Sequence, residues 1–244
     1  MSKPFPRPDW HSRWSAFSKR AILFDLDGTL LDSAPDLAFA ANVLRTRRGL
    51  APMTVQELRP WVSQGARGMI SKGMGVGPDH ADYETLRAEF LEVYAECLAN
   101  ETGFWPGMET VVNVLDQHNI AWGIVTNKIM RFTEPLLKQI GLWDRCAIVV
   151  GGDTTPHAKP HPAPMHHAIS ELDVHAESVI YVGDDARDIQ AGFAAGTWTI
   201  ACDFGHHVEA PFPRDWGADA LIQRAEDLLN VIARPEGPRQ SSNS

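Results

Sequence analysis

Two carboxylates, Asp25 and Asp27, stand two positions apart in Phe24-Asp25-Leu26-Asp27-Gly28-Thr29, where a short apolar run ends. A buried strand end seldom carries two acids without a partner, because an unpaired buried charge is costly. A divalent cation would supply that partner. Taken alone, the segment fits an exposed Asp-Gly turn equally well. Three further segments break the tie. Thr126-Asn127 closes a second apolar run, Lys159-Pro160 follows a third, and Gly183-Asp184-Asp185-Ala186-Arg187-Asp188 follows a fourth. Together they offer Asp25, Asp27, Asp184 and Asp188 as hard oxygen donors, beside Lys159, Thr126 and Asn127. Such a set suits Mg²⁺, which keeps some waters and takes substrate phosphate as a ligand.

These residues converge only if the runs before them are neighbouring parallel strands. Ala21–Asp25, Ala121–Thr126, Ala147–Val150, Val179–Val182 and Thr197–Ala201 are short and continuously apolar, as strands buried on both faces are. Helical patterns lie between them, over Met108–His118, Thr133–Ile140, Ala163–Leu172 and Arg187–Ala195. The alternation predicts an α/β fold with a doubly wound parallel sheet, whose ligands bind beyond the carboxyl ends of the strands.

About 95 residues separate the first strand from the second, far more than one crossover needs. Ser33-Ala34-Pro35-Asp36 reads as a capping box and Gly49 as a stop. Tyr83, Leu86, Phe90, Tyr94 and Cys97 form one apolar stripe, best read as helix packing. The interval therefore predicts an inserted α-helical domain, with Trp105-Pro106-Gly107 returning the chain to the sheet. The resulting division is an N-terminal arm (1–19), a core (20–33 plus 104–234), a helical cap (34–103) and a disordered tail (235–244).

The chain has 244 residues and a formal net charge of −9, from 22 basic and 31 acidic side chains. That balance speaks against non-specific nucleic-acid binding. A metal ion still allows an acidic protein to hold an anion. No apolar run approaches a membrane span, and none near the N-terminus suits a signal-peptide core. The arm, with Lys3, Arg7, Arg13, Lys19 and Arg20, is expected to be loose or weakly helical. Cys97, Cys146 and Cys202 show no metal or disulfide spacing and read as three buried thiols of a cytoplasmic protein. Asn100-Glu101-Thr102 reads as a chance glycosylation match.

In order and placement, D-x-D-G-T, T-N, K-P and G-D-x-x-x-D resemble the four motifs of the haloacid dehalogenase superfamily. The resemblance covers about residues 20 to 232. A helical cap inserted after the first motif resembles its phosphoglycolate phosphatase-like group. The resemblance implies an Mg²⁺-dependent phosphatase acting on a small phosphorylated metabolite, as a monomer or homodimer. It implies that Asp25 is the nucleophile and Asp27 the general acid–base, that Thr126 and Asn127 bind the phosphoryl group, and that Lys159 neutralises its charge. Asp184 would ligate the metal with Asp25 and the Asp27 main-chain carbonyl. Asp188 would ligate it directly or through water, or hold Lys159. Asp185 stands where many relatives carry a small hydroxyl residue, so its role stays open.

Some residues are read from their own chemistry. Arg67, in Ser63-Gln64-Gly65-Ala66-Arg67-Gly68, is either a substrate-anion ligand or a solvated cation. Lys128 and Arg131 lie near the phosphate edge and either touch substrate or only start a helix. Gly73-Met74-Gly75-Val76-Gly77 follows no strand and reads as a turn, not a dinucleotide loop. His157, His161, His166 and His167 surround Lys159-Pro160, where prolines interrupt any helical ligand face. Asp203-Phe204-Gly205-His206-His207 is expected at the pocket rim.

Within the superfamily, phosphoglycolate is the first substrate expectation. Val62–Met69, Trp122–Lys128, Arg131–Pro135 and Trp216–Asp219 are similar to N-acetylmuramic acid 6-phosphate phosphatases, which makes that sugar phosphate the alternative. A phosphosugar mutase and a non-catalytic binding relative are the remaining readings.

Overall fold

Ala21-Ile22-Leu23-Phe24 offers no polar side chain to water, and in the computed structural model it forms an inner strand of a six-stranded parallel sheet. The structure describes Arg7, residues 9–204, His207 and residues 211–232. The chain opens with α1 (Trp10–Ser15), followed by β1 (Ala21–Phe24) and β2 (Leu31–Asp32). Next come α2 (Ala34–Arg47), α3 (Val55–Leu58), a 3₁₀ turn (Arg59–Gln64), α4 (Gly65–Met74) and α5 (Tyr83–Cys97). Strand β3 (Gly103–Phe104) returns to α6 (Met108–Gln117), β4 (Ala121–Val125), α7 (Met130–Gln139) and β5 (Ile148–Val150). The remainder is α8 (Ala163–Glu171), β6 (Val179–Gly183), α9 (Ala186–Ala194), β7 (Trp198–Cys202), β8 (Ala220–Ile222) and α10 (Asp227–Ile232).

The strand order is β5-β4-β1-β6-β7-β8, all parallel. In β1, Ile22 and Phe24 pack into one core cluster, while Ala21 and Leu23 pack into the other. Period-two alternation thus buries both faces, so the run shows no polar face in sequence. Strand β8 is additional to the five expected.

Helices α2 to α5 lie between β2 and β3, which pair antiparallel with Leu31 opposite Phe104 and Asp32 opposite Gly103. The chain therefore leaves the sheet and returns through one short ribbon. The apolar stripe of α5 is buried as expected. Gly49 follows α2 at φ 70°, and the Leu50 amide closes on the Arg45 carbonyl. The expected capping box at Ser33 does not form: the Ser33 side chain makes no cap bond. Its hydroxyl donates to Asp27 at 2.5 Å, a charge-assisted bond that turns the side chain toward the loop after β1. Asp36 in turn accepts from the Glu101 and Thr102 amides and the Thr102 hydroxyl. Gly73 and Met74, expected in a turn, belong to the last turn of α4. Gly75 is its left-handed cap at φ 69°.

Part of the N-terminal arm is ordered. Trp14 is fully buried and donates its indole N–H to the Ser178 carbonyl at 3.0 Å. The three cysteines are unpaired, but Cys146 is only partly buried, unlike Cys97 and Cys202. The expected disordered tail, 235–244, lies outside the described residues.

Candidate active site

Beyond β1 the chain turns sharply. The Asp25 amide continues the ladder to the Val182 carbonyl, and the Gly28 amide then folds back onto the Leu31 carbonyl. Gly28 has φ 85°, and a Cβ there would meet Asp184 Oδ2 at 2.5 Å. Both its backbone and its neighbour therefore require glycine. This packing brings the loop after β1 against the loop after β6.

At that edge, one oxygen of each of Asp25, Asp184 and Asp188 lies within 4.8 Å of the others, and all three residues are buried. Lys159 Nζ stands among them, 2.8 Å from Asp25 Oδ1 and 2.7 Å from Asp188 Oδ1. It also donates to the Val125 carbonyl and the Tyr181 hydroxyl. Burial raises Asp25 above the usual carboxylate range; Lys159 opposes this and Asp184 adds to it. Burial also raises Asp188, followed by the charge of Asp25. Burial works against the Lys159 charge, but Asp188 and Asp25 outweigh it and hold the ammonium above its ordinary value. Three buried acids facing one ammonium have an excess of negative charge. Their hard oxygens are the donor set that a small divalent cation takes.

Other carboxylate oxygens are engaged. Asp184 accepts from the Thr29 hydroxyl and the Ser63 hydroxyl, both at 2.7 Å. Asp188 Oδ2 accepts from the Asp185 amide and caps α9. A Cβ at Gly183 would meet that carboxylate at 2.3 Å. Asp185 forms a two-pronged pair with Arg187 through Nε and Nη2, and the same Nη2 also donates to the Ser63 carbonyl. Asp185 thus anchors a bridge between the sheet and the helical insert.

The Asp27 side chain points elsewhere than the three acids. Lys128 Nζ donates to both its oxygens, at 2.8 and 3.0 Å, beside the Ser33 bond. Burial opposes the Lys128 charge, but Asp27 and Tyr94 prevail and push it up. Asn127 clasps Lys159 from both sides. Its side-chain amide donates to the Lys159 carbonyl, and its Oδ1 accepts from the Lys159 amide. Thr126 is buried and accepts from the Lys128 amide.

A cavity of about 250 Å³ opens above this edge. Asp25, Asp27, Thr126, Asn127, Lys128 and Lys159 line its floor, and Arg67, Tyr83, Phe90 and Tyr94 of the insert line its upper wall. Arg67, in the first turn of α4, is exposed. Arg131 is also exposed and does not line the cavity. His207 lines a second recess with Asp184 and Asp185; Gly205 and His206 lie outside the described residues. The His161 ring accepts from the Ala163 amide at the start of α8.

Of the residues singled out in the sequence, Asp25, Asp27, Arg67, Thr126, Asn127, Lys128, Lys159 and Asp188 line the cavity and Asp184 meets Asp25 and Asp188, whereas Arg131, Asp203 and Phe204 do not line it. Sequence reading missed Thr29, Tyr181, Ser63 and the bridging role of Arg187. The one signal for Tyr181 was a hydroxyl inside an otherwise apolar strand.

The profile of haloacid dehalogenase-like hydrolases matches residues 22–202. A phosphoglycolate phosphatase of Xanthomonas campestris is 41% identical over 217 residues, covering 89% of this chain and 98% of the relative. An N-acetylmuramic acid 6-phosphate phosphatase of Pseudomonas aeruginosa is 37% identical over 215 residues, covering 88% and 95%. A solved structure from Haemophilus somnus, named a predicted phosphoglycolate phosphatase, superposes with a TM-score of 0.76. It covers 89% of this chain and 99% of its own, and at 24% identity it speaks for the fold alone. Motif, sheet and relatives agree: the chain is a phosphatase and belongs to the haloacid dehalogenase-like hydrolase family.

Proposed function

We propose that this chain hydrolyses a small phosphomonoester through an aspartyl-phosphate on Asp25, with 2-phosphoglycolate the first substrate. The observation that carries the reading is the meeting of Asp25, Asp184 and Asp188 around Lys159 beneath a cavity. An Asp25 oxygen attacks phosphorus while the bond from phosphorus to the alcohol oxygen breaks, and Asp27 gives that oxygen its proton. Water then attacks the aspartyl-phosphate, Asp27 takes the water's proton, and the bond to Asp25 breaks, releasing phosphate. Lys159 offsets charge on Asp25 and the phosphoryl oxygens, and Thr126 and Asn127 position the group.

Asp25, Asp184 and Asp188, with the Asp27 main-chain carbonyl, would hold Mg²⁺. Bound there, the ion supplies positive charge to phosphoryl oxygens. Residues 34–103 act as a cap over a core of 20–33 and 104–234, with Arg67 and Lys128 facing the leaving group. No helix of the described residues is long and apolar enough to cross a membrane. A cytoplasmic enzyme acting on a free metabolite, as monomer or homodimer, completes the reading.

N-acetylmuramic acid 6-phosphate is the second substrate reading. It is favoured by the Pseudomonas relative and by the aromatic wall of Tyr83, Phe90 and Tyr94, against which a sugar ring can pack. Comparing kcat/KM for the two compounds with Mg²⁺ present, and with Asp25→Asn as control, tests both readings. Full activity in Asp25→Asn would overturn the mechanism. Comparably poor turnover of both compounds would overturn both substrates, and turnover that needs a bisphosphate without net phosphate release would indicate a mutase.

A further inference from the structure

Tyr94 belongs to the apolar stripe of α5, and its ring behaves accordingly. It is 2% exposed, stacks on Phe90 at 6.1 Å between centroids and packs on Phe132 at 5.7 Å. Its hydroxyl does not fit that description. The oxygen is buried and no acceptor meets its O–H; the Lys128 ammonium beside it can only donate. A buried hydroxyl left unmet costs free energy that phenylalanine would avoid at the same position. Tyr94 lines the same cavity as Asp25, Asp27, Thr126 and Asn127. Lys128 Nζ lies 4.9 Å from the Tyr94 ring centre and is itself held on Asp27.

We propose that Tyr94 is a specificity residue: with Lys128 beside it, its hydroxyl donates to a carboxylate carried by the alcohol part of the substrate. The inference rests on the phosphomonoester reading above. On that reading Asp27 stands at the leaving-group oxygen, and the Lys128 bond places Tyr94 on the same side. Burial pushes the Tyr94 hydroxyl up to about 12, so it stays a donor throughout the neutral range. Charge selects the acceptor. Arg187 is engaged by Asp185, but Arg67 and Arg87, both exposed, also line this cavity. The carboxylate nearest Arg87, Glu84, stands 3.7 Å away with a 78% exposed side chain. Lys128, Arg67 and Arg87 thus face the leaving group with Asp27 as their acidic counterpart. A carboxylate answers both the orphaned donor and the surplus of cations, whereas a neutral hydroxyl answers only the first.

The test compares 2-phosphoglycolate with ethyl phosphate, which has a methyl group in place of the carboxylate, in the wild type and in Tyr94→Phe with Mg²⁺. The expected result is a wild-type preference for phosphoglycolate in kcat/KM that falls about tenfold in Tyr94→Phe, chiefly through KM. The variant should melt at the same temperature as the wild type or higher, since it removes an unmet hydroxyl. An unchanged preference in a folded variant overturns the proposal. So does a wild type that hydrolyses both compounds equally, and there the phosphatase reading stands. Hydrolysis of neither compound removes the underlying reading and the proposal with it. Tyr94→Leu, melted alongside, separates loss of the ring packing from loss of the hydroxyl.

Discussion

Ser63 donates its hydroxyl to Asp184 at 2.7 Å, across 121 positions of sequence and from the helical insert to the loop after β6. Its carbonyl accepts from Arg187 Nη2 at 2.7 Å. One insert residue therefore touches both a candidate metal ligand and the guanidinium held by Asp185. Arg187→Ala should loosen this bridge without opening the core. We expect KM for a phosphomonoester to rise about tenfold, with a smaller change in kcat. A melting temperature within a few degrees of wild type would show that the fold is intact. An unchanged KM would show that the bridge does not hold the insert over the site.

Metal binding should appear in stability before any substrate is added. Asp25, Asp184 and Asp188 crowd together, with Lys159 Nζ paired to Asp25 and Asp188. A ligand that binds only the folded state stabilises it by about 2.7 kcal/mol at one hundred times its dissociation constant. Millimolar Mg²⁺ should therefore raise the melting temperature by several degrees, and EDTA should reverse the shift. Asp184→Asn should abolish most of it. A shift retained in full by that variant would place the ion elsewhere.

Much of this arrangement could be read before the structure was seen, and the residues that could not share a physical cause. Five strands were visible because burial on both faces makes a run apolar throughout. Strand β8 was not, because it has only three residues and Leu221 within it is 41% exposed. Strands β2 and β3 have two residues each, too short to show any period. Asp25, Asp184, Asp188 and Lys159 were legible because each ends or follows a strand, and strand ends in a parallel sheet share an edge. The contacts of Ser63, Lys128 and Tyr94 join segments that only tertiary packing brings together. Ser33 shows the limit well: its local pattern indicated a helix cap, but its hydroxyl is turned to donate to Asp27, six residues earlier.

The insert carries its own pH dependence. Glu89 on α5 accepts from Arg48 at 2.5 Å and Arg47 at 2.8 Å, joining α5 to the end of α2. The Arg48 bond is the largest influence and, with Arg47, lowers Glu89 below its ordinary value against a smaller effect of burial. A depressed carboxylate contributes stability above its unfolded value, near 4.5, and loses it as pH falls through the folded value. Glu89→Gln should therefore be less stable at pH 7 by about 0.5 kcal/mol, the modest size expected of a solvent-facing pair. Denaturant titrations at several pH values should show the two proteins converging progressively as pH falls below 4.5. A difference that stayed constant throughout the acid range below 4.5 would mean that packing, not charge, sets the effect.

Trp14 provides the sharpest test of how the N-terminal segment is held. Helix α1 has only six residues, too few for independent stability, so docking must hold it. The Trp14 side chain supplies that docking: it is fully buried in the main core cluster and donates to the Ser178 carbonyl just before β6. Arg20 stacks over its ring at 4.6 Å. Trp14→Ala removes a large buried side chain and leaves the Ser178 carbonyl without its indole partner. We expect a loss of about 3 to 5 kcal/mol in denaturant unfolding. Trp14→Phe should recover most of the packing but not the hydrogen bond, leaving a deficit of about 1 kcal/mol. Because β6 leads into Asp184, both variants should also weaken the Mg²⁺-induced rise in melting temperature, Trp14→Ala the more. Stability equal to wild type in Trp14→Ala would mean that α1 contributes nothing to the core it touches.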